Sequence, residues 1–249
     1  MKPEEIYKIL EEQYFGEHSH EQKEIQSLQQ LLSGVKTFID VGASLGQYTY
    51  YANKFIQNGK IISIEADPVR YKRLSEQAAK WEKESTNKIE VIYAAVSDTI
   101  GKTKFFISNS NISGGLFTRE IHDAKTPDWE EITVNCITLD SLLNSTIPDF
   151  IKIDVEGGEY RVINGSQKLL QQTNVRFLME IHGWADKEAH HAPEDVFDIF
   201  KEHSFAFKKI HSHILFKKKE NLSLCELFAY FQRKSKYQLK LFLRDTIRF

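Results

Sequence analysis

The sequence predicts an α/β fold organised around a unit that holds a nucleoside-like ligand in an open parallel sheet. Three observations predict it. Residues 38–65 read as a short buried strand, a glycine turn, a helix, a second strand and a terminal acid. Apolar runs near 89–96, 150–155 and 175–181 alternate with helical patterns, as βα units do. Two last runs, 205–210 and 213–216, suit an antiparallel pair that closes such a sheet.

Taken in order, residues 3–15 put Ile6, Ile9, Leu10 and Tyr14 on one helical face, and 25–32 form a second short helix stopped by Gly34. A strand over 35–41 enters the glycine turn, and a helix over 45–56 ends at Gly59. Ile61, Ile62 and Ile64 make the next strand, with Glu65 at its carboxyl end. Pro68 opens a helix reaching Glu84, because proline suits the first helical turn. A third strand covers 89–96. From Thr99 to Leu139 the βα rhythm stops, and strands at 104–107 and 132–137 mark a β-rich insertion beside the site. Its loop at 108–115 is Ser-, Asn- and Gly-containing, and the motion this permits is expected to let residues 109–115 cover the site. Asp140 caps a short helix carrying Leu142 and Leu143. A buried strand at 150–155, a helix at 159–170, a strand at 175–181 and a helix at 193–203 complete the order. The chain divides into an N-terminal helical extension (1–34), a main domain (35–217) and a C-terminal extension (218–249).

Composition narrows the class. A chain of 249 residues suits one α/β domain with additions. A net charge of −2 offers no basic field for a nucleic-acid partner. Cys136 and Cys225 are far apart and fit no metal spacing, which points to a reducing, cytoplasmic setting. The N-terminal stretch is acidic and amphipathic rather than signal-like, and nothing approaches the ~20 apolar residues of a membrane span.

The glycine turn selects the ligand class. Gly42 and Gly46 bracket a turn that lets backbone approach a ligand, and the following helix offers free N–H groups. An acid at the end of the next strand, Glu65, accepts the ribose hydroxyl protons. A dinucleotide loop has glycines at its first, third and sixth places, but Ser44 stands third here and Leu45 fourth. That spacing disfavours a nicotinamide-dependent oxidoreductase. Two further segments carry polar groups to strand mouths. IPDFIKIDVEGGEYRVINGS, residues 147–166, places Asp154, Glu156 and Glu159 within six positions. Such repelling acids suggest a bound cation, a cationic ligand group or a helix cap, and a glutamate suits a helix N-terminus. FLMEIHGW, residues 177–184, places Glu180 and His182 two apart on a strand, hence on one face.

Together, DVGASLGQYT, IEADP, IKIDVEGGEYRVINGS and MEIH resemble the FkbM family of S-adenosylmethionine (SAM) dependent methyltransferases, over residues 37–216. The resemblance implies a class I Rossmann-like methyltransferase fold: a mostly parallel central sheet with one antiparallel strand and helices on both faces. It also implies methyl transfer to oxygen, of a small-molecule, sugar or glycan acceptor. Carried over residue by residue, Gly42, Ser44 and Gly46 line the cofactor's amino-acid and ribose portions, Glu65 binds the ribose and Ala95 meets the adenine. Asp154 sits at the methionine end or the acceptor. Asp40 either braces the loop or reaches the acceptor. Ser44 stands where many relatives carry asparagine, a mild departure.

For the chemistry, His182 or Asp154 is the candidate base, with Glu180 supporting. His182 also reads as a hydrogen-bonded structural histidine, and Glu180 as its orienting partner, an acceptor ligand or a partner of Asp154 in a metal site. Acidic oxygens suit Mg²⁺, but the full set is not visible, so a divalent metal is allowed rather than favoured. Tyr48 either stacks near the sulfonium or packs its helix. His190, His191, His211 and His213 are read as surface or supporting residues. The basic, amphipathic segment 222–249 packs on the domain or a homodimer partner, or lies on an anionic membrane. A SAM-binding or interaction protein without catalysis is the remaining alternative, and intact Asp154, Glu156 and His182 speak against it.

Overall fold

The computed structural model describes residues 22–108, 114–115, 129–144, 147–182 and 193–223. The expected first helix, most of the loop at 109–115, His190, His191 and nearly all of the C-terminal extension lie outside them.

The first half comprises α1 (Gln22–Leu31), β1 (Thr37–Val41), α2 (Gln47–Phe55), β2 (Lys60–Glu65), α3 (Pro68–Lys83) and β3 (Lys88–Tyr93). Then come β4 (Ala95–Val96), β5 (Gly101–Ser108), β6 (Gly114–Gly115) and β7 (Trp129–Ile137). A 3₁₀ turn (Leu139–Asn144) leads to β8 (Phe150–Ile153), α4 (Glu159–Asn164), α5 (Gln167–Leu170), β9 (Arg176–Met179), α6 (Pro193–Glu202), β10 (Phe205–Ile210) and β11 (His213–Lys218). The main sheet has seven strands in the order β10-β11-β9-β8-β1-β2-β3. Strands β9, β8, β1, β2 and β3 pair in parallel, and β11 runs antiparallel to both of its neighbours. This is the Rossmann-like, mostly parallel sheet with one reversed strand that the sequence predicts. Strand order reverses between β1 and β8, where such sheets open a crevice beyond the strand carboxyl ends.

Side chains alternate across the sheet, and both faces are covered. Ile39, Val41, Ile62, Ile64, Ile151 and Ile153 face a layer containing Val162 of α4 and Phe197 and Phe200 of α6. Phe38, Ile61, Phe150 and Leu178 face the other layer, with Leu28 of α1 and Ala52 of α2. The β-rich insertion forms a second sheet, β4-β7-β5-β6.

Several element bounds shift from the sequence reading, and four differences have a clear local reason. The run 89–96 is two strands: Ala94 N–H donates to the Glu65 carbonyl, and Ala95 and Val96 then pair with Cys136 and Ile137 of the second sheet. Helix α2 ends at Phe55 rather than at Gly59, and Asn58 takes the left-handed turn at φ 52°. Gly59 is instead required by contact, since a Cβ there would lie 2.6 Å from the Lys36 carbonyl oxygen. The expected helix 159–170 breaks at Gly165, where a Cβ would lie 2.3 Å from the Ser97 carbonyl oxygen. Asp140 caps a different helix from the one expected: its carboxylate accepts from Lys168 N–H (2.8 Å) and Leu169 N–H (3.0 Å) at the start of α5. Asp140→Ala leaves these two donors without that acceptor, and urea denaturation is expected to show a loss of about 1 kcal/mol.

Candidate functional site

The site is built from two rows of residues on one pleated face of the sheet. In the lower row, strand register aligns Ser63, Asp40, Lys152 and Leu178 across β2, β1, β8 and β9. Two residues further along each chain come Glu65, Gly42, Asp154 and Glu180, at the carboxyl ends of the strands. A period of two carries each pair to the same side, so buried charges lie directly below the strand mouths.

The loop from β1 to α2 is held from both sides. Gly42 and Ala43 donate their N–H groups to the Ile64 carbonyl, each at 3.0 Å. Gly42 (φ 71°) has no room for a Cβ, which would lie 1.9 Å from the Asp154 carbonyl oxygen. A Cβ on Gly46 (φ 90°) would meet Leu74 at 2.4 Å. The crowding at both glycines therefore comes from the protein itself, not from the ligand approach that the spacing suggests. Ser44 adopts the left-handed conformation at φ 52°, which asparagine tolerates more readily than most residues.

Glu65 fastens this loop to the next element. One carboxylate oxygen accepts from Ser44 N–H at 2.7 Å, and the other from Ala66 N–H at 2.9 Å and Asp67 N–H at 2.8 Å. Burial pushes the Glu65 carboxyl up, opposed by Arg70 and by the Asp67 and Ser44 N–H groups. Asp67 in turn caps α3, accepting from Val69 and Arg70 N–H.

Below the loop, Asp40 is fully buried and accepts from the Thr49 hydroxyl at 2.8 Å. Its other oxygen lies 3.6 Å from Lys152 Nζ. Burial raises the Asp40 carboxyl, against the pull of Lys152 and Thr49. Asp40 is thus held, with no exposed surface, between the helix that carries Thr49 and the strand that carries Lys152. Lys152 Nζ also lies 3.5 Å from Asp154, donates to the Gly42 carbonyl at 3.4 Å and sits over the Tyr48 ring at 4.8 Å. Burial opposes its charge, but Asp154, Asp40 and Glu180 outweigh burial and raise its pKa. Burial also raises the Asp154 carboxyl, yet Lys152, His182 and His213 overcome it and hold it below its ordinary value.

His182 lies at the acidic end. Its Nδ1 is 2.9 Å from Glu159 and its Nε2 is 3.6 Å from Glu156. Gly157 N–H also donates to that Glu159 oxygen at 2.9 Å, and Glu156 is left-handed at φ 55°. Burial disfavours charge on the ring, but the Glu159 hydrogen bond and the charges of Glu159, Asp154 and Glu156 push its pKa from 6.5 up to about 9. Ligand-type atoms of Asp154, Glu156 and His182 lie within 4.8 Å of one another, close enough to share a single cation.

Gly42, Ser44, Glu65, Ala95 and Asp154 line one cleft, together with Tyr48, Lys152, Glu156 and the apolar Ala94, Val96 and Phe105. Asp40 and Gly46 do not line it. β9 stops at Met179, so Glu180 and His182 follow its carboxyl end rather than lying within it. Glu180 lies 3.8 Å from His213, and it is Glu159 that holds His182. His213, read as a surface or supporting residue, is buried and 3.2 Å from the Tyr48 hydroxyl. Sequence reasoning missed Lys152 altogether and, having named Glu159 only among the acids of the strand mouth and as a helix cap, missed its pairing with His182. A lone lysine inside the apolar run FIKI was the signal for the first.

The Methyltransferase FkbM domain family matches residues 40–207. Among solved structures, Methyltransferase FkbM from Methylobacillus flagellatus KT is similar with a TM-score of 0.47 at 15% identity. The match covers 73% of this chain but 43% of that one, so this chain spans less than half its length. A precorrin-6y C5,15-methyltransferase from Geobacter metallireducens gives 0.47 at 11% identity, over 80% of this chain and 89% of the other. A methyltransferase-like protein from Silicibacter pomeroyi gives 0.46 at 14% identity, over 87% and 95%. No curated protein matches the chain.

The His182 environment has a pH consequence. A raised pKa stabilises the fold fully below pH 6.5, and that stability is lost as pH climbs through about 9. The full effect is of order 3 kcal/mol at about 1.4 kcal/mol per unit. Thermal denaturation across this window is expected to show wild type losing stability, with His182→Gln lacking that component of the slope.

Proposed function

The chain belongs to the FkbM methyltransferase family, and we propose that it transfers a methyl group from SAM to a hydroxyl oxygen of a small-molecule, sugar or glycan acceptor. The observation that carries this reading is Asp154: a partly exposed carboxylate at the end of β8, in the same cleft as the glycine loop and Glu65.

The cleft suits the cofactor. Glu65 uses three of about four lone-pair positions on backbone N–H groups, and the oxygen bonded to Ser44 keeps one for a ribose hydroxyl. Ala94, Ala95, Val96 and Phe105 offer an apolar wall for adenine. Bound there, SAM supplies a methyl group already activated by its sulfonium. The residues of the chain then have two tasks, to aim the acceptor oxygen and to take its proton.

Asp154 is the better proton acceptor. Its neighbours keep it ionised, whereas the carboxylates around His182 keep a proton on that ring near neutral pH. His182 therefore serves as a cation that organises Glu156 and Glu159, and Glu180 supports the site through His213 and Lys152. The acidic mouth favours a neutral, hydroxyl-rich acceptor over an anionic one, and the net charge of −2 still argues against nucleic acid.

Calorimetric titration of the full chain with S-adenosylhomocysteine tests the cofactor assignment. Saturable binding is expected, weakened about tenfold or more in Glu65→Ala with its fold verified by circular dichroism. Absence of binding to folded wild type would sink the methyltransferase reading. In a screen of hydroxyl acceptors with labelled SAM, Asp154→Asn should keep S-adenosylhomocysteine binding and lose about a hundredfold or more in transfer rate. Full activity in that variant would remove Asp154 from the base role.

A further inference from the structure

Lys152 is a buried cation in a strand whose other residues, Phe150, Ile151 and Ile153, are wholly apolar. Its side chain is 4% exposed. An ion pair with Asp40 would satisfy it, and a replacement of both by apolar residues is often neutral for stability. Its surroundings ask for more than that. The ammonium meets three groups, on β1, at the end of β8 and on the loop between β1 and α2: Asp40 at 3.6 Å, Asp154 at 3.5 Å and the Gly42 carbonyl at 3.4 Å.

Resting on the methyltransferase reading, we propose that Lys152 is a positioning residue for methyl transfer. It fixes the Asp154 carboxylate at the strand mouth as an ionised proton acceptor, and it ties that carboxylate to the loop that holds the cofactor. Three geometric facts support this. Lys152 and Asp154 are two residues apart on one chain, so the lysine stands one pleat below the acid on the same face. The Gly42 carbonyl belongs to the loop residue packed against the Asp154 backbone, so one cation spans both. Lys152 itself lines the cleft, under the Tyr48 ring.

The other titratable groups facing this point come from every neighbouring element. Asp40 lies on β1, Tyr48 on α2, Glu156 and Glu159 follow β8, Glu180 and His182 follow β9, and His213 begins β11. Carboxylates outnumber cations in that group. Removing the lysine charge is therefore expected to raise the proton affinity of Asp154 more than that of any acid farther from Nζ.

Carbon-13 NMR of the full chain labelled at aspartate carboxyl carbons, with the Asp154 signal assigned by its loss in Asp154→Asn, reads this directly. In wild type the Asp154 midpoint should lie below the ordinary value of about 3.9. In Lys152→Met it should rise by about one unit or more, and S-adenosylhomocysteine affinity should fall about tenfold. Lys152→Arg keeps a positive charge and should leave the midpoint near wild type, which separates charge from packing. Should Lys152→Met fail to fold, the double variant Lys152→Met with Asp40→Asn removes the buried pair together and answers the same question. An unmoved Asp154 midpoint, or unchanged S-adenosylhomocysteine affinity, in the folded variant overturns the proposal. Failure of wild type to bind S-adenosylhomocysteine would instead remove the reading beneath it, and the Asp154 titration would still report the charge coupling.

Discussion

The parallel seam between β1 and β8 is the constraint on which the rest of the site depends. It is the line where strand order reverses, and it brings chain positions more than a hundred residues apart into register, Asp40 beside Lys152. At its upper end the two backbones come so close that only glycine fits at position 42. Everything chemical is referred to that seam. The glycine loop leaves from one side of it, the acidic turn leaves from the other, and Lys152 bridges them below. A slip of one residue would carry all of these groups to the opposite face of the sheet.

Charge is arranged in layers above this line. The buried layer holds Asp40 and Lys152, and the mouth holds Asp154, Glu156, Glu159, Glu180, His182 and His213. The two cationic centres play different parts. Lys152 stabilises the ionised form of the acid beside the cleft, while His182 is itself kept charged by the acids around it. A carboxylate that is 28% exposed and close to a buried ammonium has the accessibility and the ionisation that a proton acceptor needs.

Much of this was legible in the sequence because the governing signals are local. The strand–turn–helix–strand order of residues 38–65, Pro68 opening a helix and the antiparallel closing pair follow from periodicity and turn chemistry. The place of Glu65 in the cleft follows from where β2 ends, whereas the placing of Gly42, Ser44, Ala95 and Asp154 there comes from the family resemblance. What was hidden depends on contacts between distant segments. Asp140 caps a helix 28 positions away, only glycine fits against Ser97 at position 165 where the helix breaks, and Ala95 changes sheets because Cys136 is there to pair with it. The partner of His182 was hidden in the same way. Glu159 suits a helix N-terminus so well that its sequence context gives no reason to send its carboxylate across to another strand.

The Ser44–Glu65 hydrogen bond has a thermodynamic consequence for ligand entry. The loop is already fastened to β2, with Ser44 in its left-handed conformation and the Glu65 carboxylate clamped by Ala66 and Asp67. On the proposed function, a nucleoside arriving in the cleft would meet a receptor with little backbone left to order, so less of its contact energy would be spent on immobilising the chain. This surface would then act as a preformed mould rather than as a segment that folds around its guest. Association there would be governed by desolvating the mould and the guest, and by how well their shapes agree.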